Sequence, residues 1–204
     1  MKNRVITISR QFGSGGRTIG KELAKQLGIP CYDQEIIEKI AAESGLTSEY
    51  IAESSEYTAY SGWLAGAFIP RDITGRSLQD DLWTLQCRII RQLAEKGSCV
   101  IVGRCADHVL EGEADLLKVF IHADVDYRAR RVISVYGEKN VDSRKRVTDK
   151  DKRRAAYYNF YTDKKWGAQE NYDISLNSGV LGIETCVEIL KKLYRLPHAA
   201  DFSC

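Results

Sequence analysis

Three glycines in four positions, Gly13, Gly15 and Gly16 around Ser14, followed by Arg17 and Thr18, are the chain's clearest chemical feature. Glycine lets a backbone turn tightly and aim successive N–H groups at one point, which suits an anion such as a phosphate chain. Arg17 adds a fixed positive charge with several donors, and Thr18 a hydroxyl able to reach Mg²⁺ or to cap a helix. A second set is the basic run Arg144-Lys145-Arg146 with Lys150, Lys152, Arg153 and Arg154. On a helix Lys150 and Arg154 share a face, so two cations converge on one phosphate. The plainer reading is a solvated, charge-laced helix that Asp149 and Asp151 partly screen. Asp33 can hold Mg²⁺ through water, orient an acceptor hydroxyl, or cap the next helix; Ile36, three residues on, denies it a capping box. Gly103-Arg104 follows an apolar run and is a natural contact for an anion or a base.

These residues need elements to hold them. Val5–Ser9 is short and β-branched, which predicts a strand, and a helix begins near Thr18 with Ile19, Leu23 and Leu27 at helical spacing. A brief strand at Ile29–Tyr32 leads to Asp33 and a second helix through Ile36, Ile37, Ile40 and Ala41. Leu82–Leu93 reads as a helix and Cys99–Val102 as a buried strand. Leu116–Ile121 reads as a strand and Tyr127–Tyr136 as a helix. Residues 141–162 read as a long basic helix, Tyr172–Leu176 as a strand, and Ile183–Tyr194 as a final helix. Residues 46–78 give no clear period; their Gly-spaced aromatic piece 60–68 suits a mobile cover or a contact surface between two copies of the chain. Strands alternating with helices predict a five-stranded parallel sheet with helices on both faces, ligands gathering at the strands' carboxyl ends.

The 204 residues fit one domain, and 44% hydrophobic with 28% charged side chains describes a globular chain. Net charge is +2, which argues against a long nucleic acid as partner. The average conceals a separation. Residues 34–124 hold 8 Lys/Arg against 15 Asp/Glu, and residues 128–165 hold 13 against 5. A cationic patch is expected in the second segment. No apolar run approaches a bilayer span, and the six scattered cysteines form no C-x-x-C pair, so a cytoplasmic setting without membrane contact is expected. His108, His122 and His198 are too dispersed for a metal cluster, and Trp63, Trp83 and Trp166 read as packing residues.

The strand, glycine-rich loop and helix at the start have the layout of a P-loop. Two registers fit. One sets Arg17 in the lysine place and Gln11 in the first-glycine place; the other puts Gly16 at the lysine place and Arg17 one residue late. The whole resembles the cytidylate kinase-like family, relatives of the P-loop nucleoside monophosphate kinases. The residues carrying the resemblance are Ile8-Ser9-Arg10-Gln11-Phe12-Gly13-Ser14-Gly15-Gly16-Arg17, Tyr32-Asp33 and Val102-Gly103-Arg104. Asp151-Lys152-Arg153-Arg154 with Tyr157-Tyr158, then Trp166-Gly167 and Asn171-Tyr172-Asp173, complete the set.

The resemblance implies a three-layer P-loop kinase fold with a core at 4–33, 82–136 and 167–194. It also implies an acceptor-binding insertion at about 34–80 and a basic helical lid at about 137–166. It implies ATP and Mg²⁺ as cofactors and a small phosphate-bearing acceptor, CMP first. ATP phosphates would sit on Gly13, Ser14, Gly15, Gly16, Arg17, Thr18, Lys150 and Arg153. Arg17, Lys152, Arg154 and Asp33 would be catalytic, Arg104 and Asp33 would bind the acceptor, and Thr18 would meet Mg²⁺ through the phosphates. Alternatives are a kinase of another metabolite or nucleoside, and a nucleotide-binding regulator with little turnover. True cytidylate kinases carry an Asp after the Gly-Arg pair; here it is Cys105, and Asp107 is only a weak substitute.

Overall fold

The computed structural model describes residues 3–57, 77–137 and 142–196. The aromatic stretch 60–68, with Trp63, and also His198 lie outside the described residues, as does part of each expected insertion and lid. Five parallel strands are present: β1 (Arg4–Arg10), β2 (Cys31–Tyr32), β3 (Cys99–Val102), β4 (Asp115–His122) and β5 (Ile174–Asn177). Their order is β2-β3-β1-β4-β5, with β1 paired to both β3 and β4. The glycine loop therefore leaves the central strand. β2 is shorter than expected because Pro30 precedes it and cannot donate to a ladder.

Right-handed crossovers send leftward and rightward connections to opposite faces. α1 (Gly16–Leu27) and α8 (Ser178–Arg195) share one face, where Ile19 and Leu23 meet Ile6, Ile8, Val100 and Val187. Gly20 allows that approach, since a Cβ there would lie 3.0 Å from Val102 Cγ2. The other face carries α2 (Gln34–Ser44), α3 (Ser48–Tyr57) and α4 (Leu78–Glu95), with Ile36, Ile40, Ile89 and Ile90 on Val5, Cys99 and Ile101. The alternation along β1 thus feeds two cores. A four-residue helix α5 (Ala106–Val109) follows β3, and α6 (Val125–Tyr136) and α7 (Ser143–Thr162) follow β4.

Each helix boundary has a local cause. α4 begins four residues earlier than its periodicity predicts because Ser77 and Asp80 form a reciprocal capping box. Gly28, Gly45 and Gly137 end α1, α2 and α6 in left-handed conformation. α8 starts before Gly182, where the helix is interrupted at φ 78°, ψ 164°, so the expected start at Ile183 was the second half of a broken helix. Among the described residues the five cysteines Cys31, Cys87, Cys99, Cys105 and Cys186 are free. No described helix is long and apolar enough to cross a membrane.

Candidate active site

Where β1 ends, the chain turns through Gln11 to Gly15 and enters α1. Gly13 and Gly15 take φ near +80°, and a Cβ on Gly13 would stand 2.8 Å from the Arg128 carbonyl. Only glycine fits both demands. Ser14 is fully buried, its hydroxyl donating to Gln11 O at 2.9 Å with Ile121 O at 3.1 Å. Its carbonyl accepts from Ser178 Oγ at 2.6 Å. The Ser14 side chain therefore braces the loop from beneath and does not face the cleft. Gln11 Oε1 accepts from Ala123 N at 3.2 Å, which ties the loop to the end of β4.

α1 starts at Gly16 on Gly15, which supplies no side-chain cap, so the first-turn N–H groups and the positive helix end open into a cleft of about 350 Å³. Thr18 lies inside the first turn and so is not the cap; its Oγ1 accepts from Arg131 Nη2 at 2.9 Å. Gly13, Gly15, Gly16, Arg17, Thr18, Asp33, Arg104, Lys150 and Arg154 all line this cleft, together with Arg10 and Arg146. Sequence positions more than a hundred residues apart converge here.

Asp33 occupies the residue before α2 but makes no side-chain cap bond. It forms an ion pair with Arg17 and lies 3.9 Å from Arg10 Nη2. Between metal, acceptor and cap, the cap role is the one the geometry removes. Arg104 sits in a turn where Gly103, Arg104 and Cys105 successively take φ 77°, 60° and 53°. Two non-glycine residues held left-handed cost on the order of 1–3 kcal/mol each, a strain that aims Arg104 into the cleft. Gln86 Nε2 donates to the Arg104 carbonyl at 3.1 Å and holds the turn. Cys105 is buried, and burial pushes its thiol well above the ordinary cysteine range. Asp107 is buried too, and accepts from Tyr158 Oη at 2.7 Å. It is thus a structural carboxyl beneath α7 and no substitute for the missing Asp; burial raises its pKa.

The basic segment divides by function. Lys150 and Arg154 share the cleft-facing side of α7 as spacing predicts, and Arg154 Nη1 donates to Arg10 O at 3.1 Å while standing 5.4 Å from the Phe12 ring. Lys152 is exposed, 3.9 Å from Asp149, and neither it nor Arg153 is among the residues lining the cleft. Arg144 pairs with Asp126 at 2.6 Å and Lys164 with Glu111 at 2.7 Å. Much of the segment's excess charge is met by carboxylates elsewhere, and the cleft receives Arg146, Lys150 and Arg154.

Asp151, an acidic interruption in the sequence, anchors the helix. Its Oδ1 accepts from Phe12 N at 2.7 Å and its Oδ2 from Arg128 Nη1 at 2.6 Å. Arg128, buried, also donates to Ala123 O and Phe12 O. So α7 is clamped to the loop backbone rather than merely charged. The signal in the sequence is one of two acids, Asp149 and Asp151, among seven cations, which reads equally as screening.

A smaller cavity of about 90 Å³ opens behind Arg10, Arg104 and Arg154, between Ser9, Cys105, Tyr157, Tyr158 and Trp166. Trp166 meets Phe120 edge-on and Trp83 stacks on Tyr161 at 4.2 Å, so both serve in packing as expected. Among the described residues no cluster of His, Cys, Asp and Glu could hold a metal.

The cytidylate kinase-like family matches residues 5–180 of this chain. The cytidylate kinase of Archaeoglobus fulgidus is 28% identical over 194 residues, 92% of each chain. A crystal structure of an uncharacterised protein from Eubacterium ventriosum superposes with TM-score 0.72 at 28% identity, over 95% of this chain and 99% of that one. Shikimate kinase from Bacteroides thetaiotaomicron shares the fold at TM-score 0.54 and 18% identity, over 96% of this chain and all of its own.

Proposed function

Because the chain belongs to the cytidylate kinase-like family, we propose that it transfers the γ-phosphoryl group of ATP to a small phosphate-bearing acceptor, a nucleoside monophosphate such as CMP first. The observation that carries this reading is the composition of the cleft. An uncapped helix start and glycine loop are ringed by Arg10, Arg17, Arg104, Arg146, Lys150 and Arg154, with Asp33 the one carboxylate among the lining residues. Phosphoryl transfer asks a protein chiefly for position and for positive charge around the moving group.

The loop and first-turn N–H groups bind the donor's β- and γ-phosphates. Lys150 and Arg154 cover them from α7; of the pairs expected from the sequence, Lys150 keeps the phosphate role without Arg153, and Arg154 the catalytic one without Lys152. Arg104 receives the acceptor's anionic group, and Asp33, steadied by Arg17, orients the acceptor. Mg²⁺ fits here only in company with phosphates, since Thr18 Oγ1 is the neutral oxygen at the helix start and Asp33 is held by Arg17. Bound there, the ion would neutralise charge on the phosphate oxygens.

Cys105 favours a second reading, an acceptor other than CMP. A buried neutral thiol cannot accept from a base amine as a carboxylate would. Purified protein given Mg-ATP and a panel of nucleoside monophosphates, nucleosides and small hydroxy acids, with ADP release as readout, decides between them. Turnover with CMP supports the first reading and turnover only with others the second. Tight ATP binding without acceptor-dependent ADP removes both in favour of a regulator.

A further inference from the structure

The loop lacks a lysine, and two glycines, Gly16 in the loop and Gly103 after β3, are shaped around the same residue. A Cβ on Gly16 would lie 2.6 Å from Arg10 Cβ and 3.0 Å from Arg10 Cγ. A Cβ on Gly103 would fall on the Arg10 guanidinium. The Arg10 side chain therefore leaves the end of central β1, crosses above Gly16, passes the end of β3 at Gly103 and points to Asp33 after β2, 3.9 Å away. No side chain can stand at position 16 while Arg10 holds this path. Arg10 also borders both the wide cleft and the small inner cavity, between the loop on one side and Arg104 on the other.

We propose that Arg10 is the catalytic cation of the loop, replacing the missing lysine at the phosphoryl group in transit, and that glycine at 16 and 103 is the steric consequence. This rests on the phosphoryl-transfer reading above. In the step, the acceptor oxygen bonds to the γ-phosphorus as the bond from that phosphorus to the β–γ bridging oxygen breaks. ADP leaves; an acceptor phosphate dianion gives up no proton, and Arg10 keeps its own throughout. Its role is charge neutralisation of the three peripheral oxygens. Burial and the neighbouring Arg154, Arg104 and Arg17, opposed by Asp33, bring the guanidinium down to about 9, so it is cationic at neutral pH and its charge is under-compensated until an anion arrives. Arg17, by contrast, is nearly half exposed and committed to Asp33.

The test compares Arg10→Ala, Arg10→Lys, Arg17→Ala, Gly16→Lys and the double variant Arg10→Gly/Gly16→Lys. Melting curves confirm folding, calorimetry gives ADP affinity, and ADP release gives turnover. Arg10→Ala is expected to lose on the order of 10³ in kcat with KM for ATP changed only a few-fold, and millimolar methylguanidinium is expected to restore part of it. Arg10→Lys should keep more activity than Arg10→Ala, and Arg17→Ala more than either. Gly16→Lys alone should abolish ADP binding, and the double variant should regain it to within about tenfold, because removing Arg10 opens the space. Arg10→Ala within threefold of the parent, or Gly16→Lys binding ADP as well as the parent, overturns the proposal. If the parent turns over no acceptor, the kinase reading fails by itself. The placement of Arg10 then stands or falls on ADP binding by the steric pair: lost in Gly16→Lys and regained in the double variant if Arg10 fills that space, unchanged in Gly16→Lys if it does not.

Discussion

Replacing Asp151 with alanine probes how the basic helix is joined to the glycine loop. The substitution deletes two short contacts, Phe12 N–H at 2.7 Å and Arg128 Nη1 at 2.6 Å, and leaves Arg128, whose side chain is only 4% exposed, with an uncompensated charge. Breaking a buried pair on one side costs about 3–5 kcal/mol. Arg128 keeps its bonds to Ala123 O and Phe12 O, which reduces the loss to roughly 2–4 kcal/mol. For a domain of this size each kcal/mol moves the midpoint by about 2–4 °C, so a drop of roughly 5–15 °C is expected. Thermal unfolding followed by circular dichroism reads it, with urea titration to confirm that m is unchanged. Arg128→Met/Asp151→Leu, which removes both charges, should recover part of the loss. ADP affinity should fall in Asp151→Ala as well, because Phe12 begins the loop. A midpoint within about 2 °C of the parent would refute the clamp, and so would an Arg128→Met/Asp151→Leu double variant less stable than Asp151→Ala alone.

Other consequences are open to direct measurement. Gly13→Ala meets a carbonyl at 2.8 Å and a left-handed φ, so it should lose roughly 2–3 kcal/mol of stability by urea titration, against about 1 kcal/mol for Gly45→Ala, whose surroundings are open. Arg104→Gly should be neutral to about 1 kcal/mol more stable through relief of its left-handed φ, yet raise the acceptor KM at least tenfold; a clear destabilisation would show that the arginine supports the turn. Lys152→Ala should leave kcat within twofold and Lys150→Ala should not, as steady-state kinetics will show. Burial raises the Asp107 pKa, so the folded state holds that proton more tightly than the unfolded chain. Its contribution is largest below the ordinary value of 3.8 and is lost as pH rises through the raised folded value. Asp107→Asn removes that slope, and urea titrations of both proteins across this window should converge on a smaller difference, or a reversal, at higher pH.

The sequence was most readable where one physical rule acted alone. Cys99–Val102 is a continuous apolar run bounded by Ser98 and Gly103, and it is a buried strand over those same residues. The face of α2 was legible because Ile36, Ile37, Ile40 and Ala41 repeat at helical spacing, and all four are buried. α3 is not, since Ser48-Glu49-Tyr50-Ile51-Ala52 offers one deeply buried apolar side chain, Ile51, and the helix is held between its neighbour α2 and the distant α7. In the site, the glycine loop could be read because its chemistry is consecutive in the chain. Resemblance gives Lys152 a catalytic role, while the helical spacing that sets Lys150 beside Arg154 is the reading that matches the cleft's lining. Arg10 draws no role from the sequence, where it stands just past the expected strand Val5–Ser9; its trace is glycine at both 16 and 103, a correlation in space that linear spacing cannot express. Arg128, Arg131 and Ser178 have no local signal, because the groups they hold (the Phe12 carbonyl and Asp151 carboxylate, the Thr18 hydroxyl and the Ser14 carbonyl) lie more than twenty residues away on other parts of the fold.

The stack of Trp83 on Tyr161 joins α4 to the carboxyl-terminal half of α7, with Tyr157 edge-on to the same indole at 6.2 Å. An indole's emission responds to the polarity and contacts around it, so this packing detail makes the protein its own optical gauge. In a Trp63→Phe/Trp166→Phe background the remaining indole reports where α7 lies, without a dye or a label. Donor and acceptor added in turn would each write their effect on the helix as a change in colour and intensity, on the timescale of mixing. Any displacement of the basic helix thereby becomes a quantity that can be timed against the release of ADP.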